Sequence, residues 1–128
     1  MTDRVKRLKK LLAVQQQLKS LHETRRAGHL ASASAAARDA AEIASRMEGD
    51  SSLVSLFPDI YSRAIENART RERESNELAA RELQEVAKAS ARTNLVGRNY
   101  REAQRQDERE RSDRERLEAI AIARAKGG

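Results

Sequence analysis

The chain contains no cysteine and no tryptophan, and its 128 residues include one proline, one phenylalanine and two tyrosines. Without cysteine there is neither a disulfide framework nor a thiolate metal site. With 2% aromatic residues, a sizeable three-dimensional core is excluded. Glycine-rich phosphate loops are missing, as is any nucleophile–base pair with a pocket to hold it. Catalysis needs a concave, partly dry site, so the chain is not expected to be an enzyme, or to take a small-molecule substrate or cofactor. His22 and His29 lie seven residues apart on one helix face with no further ligands at matching spacing, so no metal site is expected. Aromatic stacking platforms are lacking too, which argues against a nucleic-acid-binding module. No apolar run reaches membrane-spanning length, and Met1-Thr-Asp-Arg-Val-Lys-Arg7 leads into no secretory apolar region. Cytoplasmic residence is the expectation, with membrane contact at most peripheral, at the inner face of the cell membrane.

What is present is charge and helix-forming sequence. Charged residues make up 36% of the chain, and the abundance of Ala, Arg, Glu, Gln and Leu matches the coiled-coil class. High charge with low hydrophobicity also marks unfolded chains; a sustained heptad pattern argues against that here. The net charge of +6 is uneven, with ten Lys/Arg against five Asp/Glu in residues 1–48. Arg4, Lys6, Arg7, Lys9 and Lys10 face only Asp3 at the start. Such a basic end is either a solvated terminus or a meeting place for an anionic partner.

The single proline organises the chain. Pro58 closes the one loop-like stretch, residues 49–57, which divides a helix over about 3–48 from a second over about 58–126. The fold expected is all-α, one domain of two long helices in an antiparallel coiled-coil hairpin, a rod rather than a globule. Gly49 is a candidate terminator, and Asp50, Ser51, Ser52 and Ser55 are cap-competent. Pro58-Asp59 suits a helical first turn. Leu53, Val54, Leu56 and Phe57 are expected to fold back over the hairpin's end; a docking tip is the other reading.

Helix two carries a heptad seam of thirteen positions: Tyr61, Ile65, Ala68, Glu72, Ser75, Ala79, Glu82, Val86, Ala89, Thr93, Val96, Tyr100 and Ala103. Helix one offers Val5, Leu8, Leu12, Gln15, Lys19, His22, Arg26, His29, Ala33, Ala36, Ala40, Ile43 and Met47. Loop length favours pairing them at a constant index sum of 108, from Met47 with Tyr61 to Val5 with Ala103. That register sets Arg26 across from Glu82 and Glu72 across from Ala36.

Two features exceed what a hairpin needs. Leu11, Val14, Leu18 and Leu21 form a second apolar stripe on helix one. This stripe is either a partner surface or the sign of a discontinuity at which the seam changes stripes. Helix two also outruns its partner. Pairing is expected to end near Ala103, leaving an overhang from Gln104 to Lys126 with Asp107–Arg111 and Glu110–Arg114 as helix-stabilising pairs. The overhang ends in Leu117, Ile120 and Ile122, which have no intramolecular partner in view.

Size, the single break, the longer second helix and the basic leucine-rich opening Arg4-Val-Lys-Arg-Leu-Lys-Lys-Leu-Leu-Ala-Val-Gln-Gln-Gln-Leu-Lys19 resemble the FliJ/YscO family of flagellar and type III secretion export stalks. The resemblance implies a stalk coupling an export ATPase ring to the export gate protein, with export chaperones as further partners. On that reading Arg4, Arg7, Arg105, Arg109 and Arg111 face acidic walls of the ring, and Leu117, Ile120 and Ile122 insert with them. The alternative is a general coiled-coil scaffold or oligomerisation module.

Overall fold

A computed structural model describes residues 2–49 and 55–127. Two helices account for nearly all of them: α1, Asp3–Gly49, and α2, Pro58–Gly127. No strand occurs among the described residues. The fold is all-α, and both helices end within one residue of the sequence expectation.

Local chemistry explains the ends. Thr2 caps α1: its Oγ1 accepts from the Val5 amide at 3.3 Å and its carbonyl from the Lys6 amide at 3.1 Å. Asp3 adds a carboxylate to the first turn, complementing the helix dipole. Pro58 opens α2 and Asp59 follows in its first turn, as expected of a residue that needs no amide donor there. Gly49 is the last residue of α1, but no described glycine has a positive φ, so it does not make a left-handed cap. The caps expected at Asp50, Ser51 and Ser52, and the roles given to Leu53 and Val54, lie outside the described residues. Leu56 and Phe57 do not cover the hairpin's end; they are 69% and 50% exposed. Met47 and Tyr61, both half-buried, already fill the last seam layer.

The chain divides into two compact units. The first joins residues 1–18 to 89–128, and the second is Lys19–Lys88. Within each, an α1 segment runs antiparallel to an α2 segment.

In the first unit Val5, Ala89 and Ala103 are buried, and Leu8, Leu12, Gln15, Thr93, Val96 and Tyr100 are half-buried. Gly97 is buried as well, and the Leu12 methyl approaches within 3.7 Å of where its Cβ would stand. That contact is one residue from the expected Leu12–Val96 pair. Gln15 is the imperfection: its Oε1 is buried without a hydrogen-bond partner. Thr93, which the register sets across from it, donates its hydroxyl to the Ala89 carbonyl at 2.7 Å instead.

In the second unit the buried residues are all alanines, Ala33, Ala36, Ala68 and Ala79. Small side chains let two helix backbones approach closely but remove little apolar area per layer. Lys19, His22, Arg26, His29, Glu72 and Glu82 occupy seam positions and stay half-buried; no described charged side chain is fully buried. Long charged side chains manage this by laying their stems along the seam and keeping their heads in water. Asp39 and Arg71 pair at 3.7 Å beside the seam, which marks the flanks of the two segments that meet.

One expected contact is replaced. Glu82 is matched by His22, which donates from Nδ1 to Glu82 Oε2 at 2.6 Å. Arg26 has no ion-pair partner among the described residues. A carboxylate accepts only, so the facing imidazole nitrogen must carry the proton. The seam pairs His22 with Val86, and Glu82 lies one turn earlier in α2, within diagonal reach of the ring.

Candidate partner-binding surface

The expected seam accounts for the burial pattern. All thirteen seam positions on each helix are buried or half-buried, and only Ala37 and Ala44 join them on α1. The second apolar stripe therefore does not enter the seam. Leu11, Val14 and Leu18 stand 43%, 49% and 38% exposed in the first unit, and Leu21 is exposed in the second. Val5, Leu8 and Leu12 hold the inward face, so rotating α1 to bury the outer stripe would expose them instead.

α2 meets α1 further towards its start than the sequence suggests. Asp107 follows Ala103 by one seam step and meets the first turn of α1. One groove there is lined by Thr2, Arg4, Ala103, Gln106, Asp107 and Glu110, and another by Val5, Gln104, Asp107, Glu108 and Arg111. The Asp107 side chain is only 11% exposed, and Arg111 pairs with it at 3.7 Å. A carboxylate beside a helix N-terminus is favourably placed. The overhang thus begins at Glu108, not at Gln104, because the Thr2 cap carries α1 a turn beyond Val5. Gln104 is half-buried, donating from Nε2 to the Tyr100 hydroxyl at 2.9 Å.

From Glu108 to Gly127 every residue of α2 is exposed. The Asp107–Arg111 pair is present, but Arg114 donates from Nε to the Glu110 backbone carbonyl at 3.5 Å rather than to its carboxylate. Leu117, Ile120 and Ile122 are exposed, and they do not share one face. At about 100° per residue, Leu117 and Ile120 lie roughly 60° apart, while Ile122 is roughly 140° from Leu117. Arg105 and Arg109 share a face one turn apart; Arg111 is turned away from them. Arg4 and Arg7 are exposed on α1. The candidate residues are therefore accessible, but they form separate patches: the α1 stripe with Arg4 and Arg7, the Arg105–Arg109 ridge, and the apolar end of α2.

Sequence reasoning passed over Leu95, which is 53% exposed on α2. Its signal was available, since it stands directly before the seam residue Val96. Among the described residues no group of three or more His, Asp or Glu is placed to hold a metal. None of the described helices is long and apolar enough to cross a membrane.

Compared with protein-family models, curated proteins and solved structures, the chain has no significant match in any of the three.

Proposed function

We propose that the chain is a non-enzymatic coiled-coil stalk of a flagellar or type III protein export apparatus, coupling an export ATPase to the export gate. The observation that supports this reading most is the exposed length of α2 beyond Asp107, its last half-buried residue. Glu108–Gly127 would extend about 30 Å at 1.5 Å per residue, ending in exposed Leu117, Ile120 and Ile122. Water disfavours such an end, and insertion into an ATPase ring would cover it. Arg105 and Arg109 would then face acidic walls. The export gate and export chaperones are the remaining partners, and the site of action is the cytoplasm, peripheral to the inner face of the membrane.

The test is affinity capture with the full chain, followed by mass spectrometry and an ATP-hydrolysis assay on the captured protein. An export ATPase that dominates the eluate and is stimulated by the chain supports the stalk. A second reading, a scaffold or oligomerisation module, draws on the exposed α1 stripe. Self-association in sedimentation, with no ATPase captured, would favour it.

A further inference from the structure

Heptad geometry gathers exposed apolar side chains from both helices of the first unit onto one side. In a heptad labelled with the seam at a and d, Leu11 and Leu18 take g positions of α1 and Val14 a c position. Arg92 and Asn99 take g positions of α2, and Leu95 a c position. In antiparallel pairs the g flanks of the two helices meet. The groove shared by Arg4 and Gln106, both at g, marks that side in this unit. Gln104 and Arg111, at e, line the other groove. Leu11, Val14 and Leu18 therefore form an apolar face on α1, and Leu95 lies on the same side of α2 outside Arg92 and Asn99, with Arg7 beyond one end of the face.

We infer that this face binds an amphipathic helix of another protein, one carrying an apolar stripe flanked by carboxylates. Its apolar centre spans about two helical turns, from Leu11 to Leu18, matching anchors at i, i+3 or i+4, and i+7 of an incoming helix. Arg4 and Arg7 at one end and Arg92 at the other outnumber the single carboxylate on that side, Glu102, so acidic flanks on the incoming helix complete the match. A second copy of this chain fits poorly: two-fold pairing sets the Arg7 end of one copy against the Arg92 end of the other, like charge on like. A lipid surface fits poorly as well, because Asn99 and Glu102 lie on the same side and no aromatic residue does. The inference rests on the chain being a partner-binding hairpin, but not on the partner being an ATPase, since the α2 end plays no part in it.

The test uses a fluorescein-labelled peptide of roughly three heptads, with Leu at a and d and Glu at e and g. It is titrated against the full chain by fluorescence polarisation, beside a Lys-for-Glu version and phosphatidylserine vesicles. The Glu peptide should bind about tenfold or more tighter than the Lys version and should weaken with added salt. Leu11→Gln with Leu18→Gln, and separately Arg7→Glu with Arg92→Glu, should each weaken it about tenfold at unchanged helicity. If the leucine pair lowers the melting temperature, Leu95→Gln probes the same face from the other helix. Equal affinity for both peptides would overturn the inference, as would Glu-peptide binding indifferent to the leucine changes. So would preferential binding to vesicles, or a dimer that Leu11→Gln with Leu18→Gln abolishes.

Discussion

Replacing Gln15 by leucine should stabilise the protein. Gln15 sits in the first unit's seam with its Oε1 buried and unpartnered, and the hydroxyl of Thr93 is committed to the Ala89 carbonyl. An unsatisfied buried acceptor costs about 1–3 kcal/mol. Leucine removes that cost and adds apolar contact beside half-buried Leu12 and Val96. Because Gln15 is half-buried, only part of the amide penalty is recovered, so the gain should be about 1–2 kcal/mol. For a chain of this length that is a rise of roughly 3–8 °C in melting temperature. The assay is thermal melting followed at 222 nm, with urea unfolding to check that the m-value is unchanged. Hydrogen exchange of amides around residues 8–18 and 89–100 should slow in step, which localises the gain. A polar seam residue also pins register and oligomer state, so sedimentation must show the variant's association unchanged. A lower melting temperature, or protection gained only outside these segments, would refute the reasoning.

Other consequences are independent of that one. Gly28→Ala and Gly97→Ala should each stabilise by about 0.5–1 kcal/mol in the same melts, since both glycines are mid-helix. An added Cβ meets nothing within 4 Å at Gly28 and only ordinary contacts, 3.5 Å from Arg101 and 3.7 Å from Leu12, at Gly97. His22→Ala should cost about 1–2 kcal/mol by leaving half-buried Glu82 without its donor, and His22→Ala with Glu82→Leu should recover most of it; a single variant as stable as the parent would mean the pair contributes nothing. Cysteine pairs at Ile43/Ile65 and at Leu12/Val96 should each form intramolecular disulfides under mild oxidation, and failure of either would displace the register in its unit.

The seam was legible because it is a repeat. Steps of three and four from Val5 to Met47 and from Tyr61 to Ala103 fix a helix face whatever the side chains are, which is why Lys19 and Arg26 could be placed there despite their charge. The chain break was equally plain, since Pro58 has few places to go except a first turn. What escaped the sequence was diagonal or terminal. Counting residues sets Arg26 across from Glu82, but an imidazole one turn away reaches the carboxylate while a long guanidinium is free to turn to solvent. Counting apolar residues stops the pairing at Val5 and Ala103, whereas polar Thr2 and Arg4 share a groove with Asp107, one seam step beyond. Leu11, Val14 and Leu18 left two readings open in the sequence, and their exposure closes one of them. Phe57 and Leu56 ran against expectation because apolar character alone does not say whether a neighbouring layer is already filled.

The central claim is that the exposed end of α2 engages an export ATPase, and truncation tests it most directly. A chain ending at Arg111 keeps the Asp107–Arg111 pair and every buried or half-buried residue of α2. Its melting temperature should match that of the full chain, the loss being within about 0.5 kcal/mol as for surface changes generally. Measured side by side with the full chain, it should neither bind the export ATPase nor stimulate its ATP hydrolysis. A truncated chain that melts normally and still binds and stimulates would contradict the account.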